Sequence, residues 1–133
     1  MINGLLTCIV LTYRNGEFLY ETIDSILMQD YPHIELIVAE DGAPDFDAET
    51  LRKYIVQKKK ENLENVVIYS NSPNFGTVKN VNKALRKTQG EYVKIIAGDD
   101  AYPDSNTFQG KLHICRIMRA YLWQEIRFPV TIK

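Results

Sequence analysis

Cysteine is scarce in this chain of 133 residues: there are 2, Cys8 and Cys115. They have neither metal-ligand spacing nor the density of a disulfide framework. Cys8 lies in an apolar run and reads as a buried thiol. Charge of one sign is also lacking. Lys and Arg number 16 and Asp and Glu 17, a net charge of −1. No bulk electrostatic attraction to nucleic acid or to an anionic membrane follows, so no nucleic-acid partner is expected. No apolar run approaches the roughly 18–20 residues that would span a bilayer. The amino-terminal residues show no basic n-region and no small-residue cleavage site, so no signal peptide is expected. A reducing cytoplasmic setting is the default expectation. Also missing are a Gly-rich phosphate loop, an internal repeat and a low-complexity segment. No Ser/His/Asp or Cys/His set can be assembled for nucleophilic catalysis. His33 and His113 stand alone and read as surface residues.

What is present is an ordinary globular balance, 45% hydrophobic and 25% charged, at the length of one domain. Leu5–Tyr13 is a near-continuous apolar run, as in a strand buried on both faces of a parallel sheet. Arg14-Asn15-Gly16 breaks it, and Asn15 is placed to cap the following helix. Within Glu17–Met28, Leu19, Ile23 and Ile26 recur on one helical face. Asp30-Tyr31-Pro32 ends that helix. Ile34–Ala39 reads as a second strand running into the acidic turn Glu40-Asp41-Gly42. Ala48–Glu61 reads as a helix with Leu51, Tyr54 and Ile55 inward. Lys58-Lys59-Lys60 near its end read as a solvated helix terminus, favoured by the helix dipole. Val66–Tyr69 reads as a third strand and Ser70–Gly76 as a loop. The spacing predicts a third helix over Thr77–Thr88 with Val78, Val81 and Leu85 on one face, and Gly90 at its C′ position. Tyr92–Ala97 reads as the fourth strand.

Strands alternating with helices over short connections predict an α/β fold, three layers deep (α/β/α), with a mostly parallel sheet. Right-handed crossovers favour a doubly wound order beginning 3-2-1-4. In such sheets ligands bind outside the carboxyl ends of the strands, where the order reverses. Three polar groups fall at those ends: Thr12-Tyr13, Asp41, and Asp99-Asp100 of Gly98-Asp99-Asp100. Two adjacent carboxylates repel unless a cation lies between them. A hard divalent ion such as Mg²⁺ or Mn²⁺ is commonly held by one or two carboxylates together with substrate phosphates. Asp41 and Thr12 could then hydrogen-bond a nucleobase or ribose. Each feature also has a plainer reading. Asp99-Asp100 would begin a surface turn before Pro103, Glu40-Asp41-Gly42 would be turn chemistry, and Tyr13 would be a strand-end aromatic.

At these residues the chain resembles the inverting, nucleotide-sugar-dependent glycosyltransferases of family 2, which have the GT-A fold. Ile9–Asn15 resembles their opening strand and its turn. Ser25–Pro32, with Ile37–Gly42, is similar to their Ser-x-Leu-x-Gln-x-Tyr-Pro helix end and acidic second strand end. Asn74-Phe75-Gly76 with Asn82, then Gly90–Val93, resemble their third helix and its exit. Gly98-Asp99-Asp100, with Pro103-Asp104, resembles their metal and diphosphate motif. The resemblance implies that Thr12, Tyr13, Asp41, Lys79 and Asp99 bind nucleotide, and that Asp99 and Asp100 hold Mg²⁺ or Mn²⁺. It implies a nucleotide-diphosphate sugar donor, a UDP-sugar first, and a saccharide or lipid-linked acceptor. Residues 1–104 form the nucleotide-binding part. Residues 105–133 form an unassigned tail, read as a helix and then an edge strand limited by Pro129. No residue is assigned as the catalytic base, and Glu125, the tail's one acid, has no recognisable context. The chain is thus expected to be the nucleotide-binding half of such an enzyme, catalytic or truncated to a binding module. Peripheral attachment at the inner membrane face would follow from a lipid-linked acceptor, and self-association from an exposed apolar face.

Overall fold

The structure, a computed structural model, describes residues 2–110. Its strands are β1 (Ile2–Thr12), β2 (Ile34–Glu40), β3 (Leu63–Ser70) and β4 (Gly90–Ala97). Between them run helices α1 (Phe18–Leu27), α2 (Ala48–Lys58) and α3 (Thr77–Arg86), and a short α4 (Thr107–Gly110) follows. Every ladder is parallel and the order is β3-β2-β1-β4, as the alternating pattern predicts. The expected tail helix beyond α4, the edge strand, His113 and Cys115 lie outside the described residues.

The two central strands are the two unbroken apolar runs. All of β2 is buried, as are Leu5–Val10 of β1. Alternation sends their side chains to opposite faces. Leu6, Cys8, Val10, Leu36 and Val38 meet Leu19, Ile23 and Ile26 of α1 and Leu51 and Ile55 of α2. Ile9, Ile37, Ala39 and Val93 meet Ala84 of α3 on the other face. Phe108 joins the larger cluster with 0% exposure and lies edge-on to Tyr102, ring centroids 4.9 Å apart. Burying a ring of that size stabilises by about 2 kcal/mol. His33 is exposed and pairs with Glu64, and Cys8 is buried, as their settings suggest.

Three local expectations need correction. The inward face of α3 is Asn80, Val81 and Ala84, while Val78 is 39% exposed. Small Ala84 lets the helix approach the sheet, and Asn80 is tolerated inside because its polar atoms are bonded. Gly90 is not a helix cap; Lys87 takes that place and Gly90 opens β4. A Cβ there would lie 2.6 Å from Leu5 O and from Thr7 Oγ1, so close strand packing demands glycine. Asn15 does not cap α1, whose N-cap position is Glu17 without a side-chain bond; its amide is engaged in the turn described next.

Candidate functional site

The carboxyl ends of β1, β2 and β4 are tied together through Leu11 and Thr12. Asp41 N donates to Thr12 O at 3.0 Å, and Gly98 N donates to Leu11 O at 2.8 Å. Pairing thus continues past the regular strands and carries both acidic segments to the β1 end. A Cβ on Gly98 would lie 2.7 Å from Thr12 Cβ and Oγ1 and 2.8 Å from Asn15 Oδ1. The glycine before Asp99-Asp100 is therefore what lets the acids approach Thr12. Asn15 Oδ1 accepts from Thr12 Oγ1 (2.5 Å) and Tyr13 N (3.0 Å), folding the β1–α1 turn back onto the strand. Arg14 has a φ of 56°, the left-handed region that L-residues seldom adopt. Its Nε donates to Tyr13 Oη at 3.1 Å, and Tyr13 is 43% exposed beside it.

Asp41 is buried, and its carboxylate is built into the fold. Oδ1 accepts from Asn71 Nδ2 (3.0 Å) and Phe75 N (2.8 Å), and Oδ2 accepts from Gly76 N (2.9 Å). Asn71 Nδ2 also donates to Asn80 Oδ1 (2.9 Å), and Asn80 Nδ2 donates to Ala39 O (3.0 Å). Tyr69 Oη donates to Asn80 Oδ1 at 3.1 Å. Burial pushes the Tyr69 phenol well above its usual value, with the Asp41 charge adding to it, so the ring remains a donor. The network fixes the β3–α3 loop against the end of β2. Gly42 has a φ of 100°, and a Cβ there would lie 2.8 Å from Asn71 O. Glu40, also buried, accepts from Gly42 N (2.9 Å), Ala43 N and Ser70 Oγ (3.4 Å). Asn71 and Asn80 escape a reading of the sequence. The one available signal is an Asn standing in the inward phase of α3, where hydrophobic counting favours Val78.

Asp99 and Asp100 are exposed, and among the described residues neither carboxylate has a hydrogen-bond or ion-pair partner. Their main chain is nonetheless held. Asp100 N donates to Ala97 O at 3.1 Å, and Thr22 Oγ1 of α1 donates to Asp100 O. Further along, Gln29 Nε2 donates to Asp104 O at 2.6 Å and Gln29 Oε1 accepts from Phe108 N at 3.1 Å. Gln29 has 0% exposure. Helix α1 and the residues after it therefore clamp the segment 100–108 at both ends. That gives the Gln of Ser25–Pro32 a physical task.

Two adjacent, solvent-facing carboxylates without protein partners fit a hard divalent cation. Among the described residues no group of 3 or more His, Cys, Asp or Glu could hold one. A bound cation would therefore draw its other ligands from phosphate and water. Asp104 does not complete the set: its carboxylate accepts from Thr107 Oγ1 at 2.7 Å. A cavity of about 650 Å³ opens between the β1–α1 turn and the β2–α2 loop, lined by Thr12, Arg14, Asn15, Tyr20, Phe46 and Asp47 among others. Strand pairing places Thr12, Tyr13, Asp41, Asp99 and Asp100 at one sheet edge, and of these Thr12 lines the cavity. Lys79 is not brought among them; it is exposed on α3 and lines a separate cleft with Phe75, Asn82, Lys83 and Arg86.

A parallel three-layer sheet with acids gathered at its carboxyl edge is the architecture of the GT-A nucleotide-sugar transferases, and solved structures of that class match it. The chain belongs to glycosyl transferase family 2, whose family model matches residues 7–110. It is 32% identical over 98 residues to TuaG of Bacillus subtilis, named as a teichuronic acid biosynthesis glycosyltransferase, covering 74% of this chain and 37% of that protein. It resembles Staphylococcus aureus TarS in complex with UDP-GlcNAc, with TM-score 0.61, 28% identity and coverage of 90% and 31% of the two chains. It shares the fold of the mannosyltransferase PcManGT of Pyrobaculum calidifontis in complex with GDP-Man and Mn²⁺, with TM-score 0.70, 24% identity and coverage of 84% and 32%. The chain spans about a third of the length of TuaG and PcManGT and 16% of that of TarS.

Proposed function

We propose that this chain is the donor-binding part of an inverting glycosyltransferase that takes a nucleotide-diphosphate sugar, a UDP-sugar first, together with Mg²⁺ or Mn²⁺. The carrying observation is the unpartnered pair Asp99-Asp100, held by its main chain beside Thr12. Thr12 and Tyr13 border the base and ribose. Asp41 shapes that border from below and offers the lone-pair capacity that its three donors leave open. Asp99 reaches ribose or cation, and Asp100 holds the cation. The cation, when bound, supplies Lewis-acid neutralisation of the departing diphosphate. The protein's own contribution is position: Gly98, Thr22 and Gln29 fix where the two carboxylates stand before the donor arrives. The acceptor is a saccharide or a lipid-linked saccharide, the latter at the inner face of a membrane. The alternative is a domain that binds nucleotide and metal without turnover.

Calorimetric titration with UDP, GDP and their sugars, with and without Mn²⁺, tests the reading. Binding that strengthens with Mn²⁺ and loses that gain in Asp100→Ala is the expected result. Absence of metal-dependent binding to every nucleotide would overturn both readings together. Turnover of a UDP-sugar then separates enzyme from binding module.

A further inference from the structure

The outer face of α3 carries a feature that the donor site does not use. Lys79, Lys83 and Arg86 recur at spacings of four and three, which places them on one stripe of the helix. The helix has no acidic residue, and none of the salt bridges among the described residues involves the three cations. Like charges at such spacings destabilise a helix. Lys83 and Arg86 fall in the last turn, where the helix dipole favours cations, but Lys79 stands in the first turn, where it does not, and an anion would offset the repulsion along the stripe.

The stripe is also concave. Phe75, Lys79, Asn82, Lys83 and Arg86 line a cleft of about 250 Å³. That is below the roughly 300–1,000 Å³ of sites that enclose whole small-molecule ligands, and suits one tetrahedral group. Lys83 is pre-positioned. Its Nζ donates to Asn71 Oδ1 at 2.8 Å and lies 4.4 Å from the Tyr69 ring centroid and 5.4 Å from that of Phe75. An ammonium has three donors, so Lys83 keeps capacity for a further acceptor. Lys79 and Arg86, both exposed, stand one turn to either side of it along the stripe.

We propose that this cleft is a phosphate subsite, separate from the donor diphosphate site, which takes a phosphate monoester or diester group. Such a group comes from a soluble or polymer-borne phosphate or from an anionic lipid headgroup, and the chemistry of recognition is the same. The cations of the subsite lie off the Thr12–Asp99 edge, and Lys83 and Phe75 connect to Asp41 only through Asn71 and a main-chain N–H, so competition with UDP and Mn²⁺ separates this subsite from the donor site.

The test uses the whole chain and the variant Lys79→Ala/Arg86→Ala. Both side chains are exposed, so the variant keeps the thermal midpoint of the parent. Inorganic phosphate is titrated at constant ionic strength and followed by amide chemical shifts. Saturable shifts confined to residues 75–87, weakened about tenfold in the double variant, support the subsite. Saturating UDP with Mn²⁺ should leave them unchanged. Flotation with phosphatidylglycerol and phosphatidylcholine vesicles distinguishes the sources. Capture by phosphatidylglycerol alone, lost in the double variant, assigns a lipid headgroup; saturable phosphate binding without capture assigns a soluble group. A non-saturable response, equal binding by the double variant, or displacement by UDP with Mn²⁺ overturns the proposal. Displacement would make the cleft an extension of the donor site and leave the donor reading standing.

Discussion

The carboxylates at the end of β2 and those after β4 share one sheet edge and differ in almost everything else. Asp41 is buried and accepts from Asn71, Phe75 and Gly76. Asp99 and Asp100 are exposed, and no described residue bonds their carboxylates. One wall uses its charge to hold the fold. The other holds its charge out by means of its main chain, through Thr22, Gln29 and the absent Cβ of Gly98. A buried charge is tolerated when it is hydrogen-bonded, whereas a charge that must meet a cation has to be left without protein donors. The same residue type therefore serves opposite ends two strand spacings apart, roughly 10 Å.

Asp41→Ala is the strongest attempt to break this contrast. It removes three charge-assisted bonds at once and leaves Phe75 N without an acceptor, while Gly76 N keeps Asn74 Oδ1 and Asn71 Nδ2 keeps Asn80 Oδ1; bonds to a charged group are the costly ones to lose. Urea unfolding should show a loss of about 3 kcal/mol. Asp100→Ala, by contrast, should stay within about 0.5 kcal/mol of the parent. Equal losses in the two variants would make the two walls alike and end the comparison.

A subtler variant sharpens it. Gln29→Leu keeps the volume of a buried side chain but removes the Gln29 bonds to Asp104 O and Phe108 N, leaving Phe108 N without a partner, while Thr22 still holds Asp100 O and Asp30 N still holds Ser105 O. The expected loss is about 2 kcal/mol in stability. The informative readout is different. Metal-free nucleotide affinity should hold, since Thr12 and Asp41 are untouched, while the increment from Mn²⁺ should shrink. A uniform fall in both affinities would show that Gln29 supports the domain and not the carboxylate pair in particular.

Much of this was legible in the residues, and the part that was not has a physical reason. The apolar runs of β1 and β2 announce strands buried on both faces, and that alone orders the sheet. The strand-end positions of Thr12, Asp41 and Asp99-Asp100 follow from the order. Hidden from view was the division of labour among the acids, because Asp41 and the Asp99-Asp100 pair each sit beside glycine in turn-like sequence. The difference lies in partners distant along the chain, Asn71 and Asn80 for one and Thr22 and Gln29 for the other. Nor does hydrophobic periodicity find Asn80, since its burial is bought by bonds to Ala39 and Asn71 rather than by apolar contact. The edge strand β3 runs longer than its apolar centre because pairing with β2 on one side suffices to hold Leu63–Ser70 extended.

Asp47 provides the finest test, because it separates exposure from partnership. It is exposed like Asp100, yet its carboxylate accepts from Glu49 N (3.1 Å), Thr50 N (3.1 Å) and Thr50 Oγ1 (2.7 Å) at the start of α2. The Thr50 hydroxyl, and next the Thr50 amide, hold its carboxyl below the usual 3.8. A carboxyl whose pKa is depressed by folding contributes stability above its unfolded value and loses it as pH falls through the folded one. Asp47→Ala should therefore lower the urea midpoint at neutral pH. The gap between parent and variant should narrow as the solution is acidified past 3.8 and close below the folded value. Asp100→Ala is the control, with its midpoint unmoved at neutral pH. If Asp47→Ala also leaves the midpoint unmoved at neutral pH, exposure alone decides what an acid contributes here. A gap that closes on acidification shows that partners, not exposure, decide what an exposed acid contributes, and it sets Asp47 apart from the unpartnered Asp99-Asp100 pair.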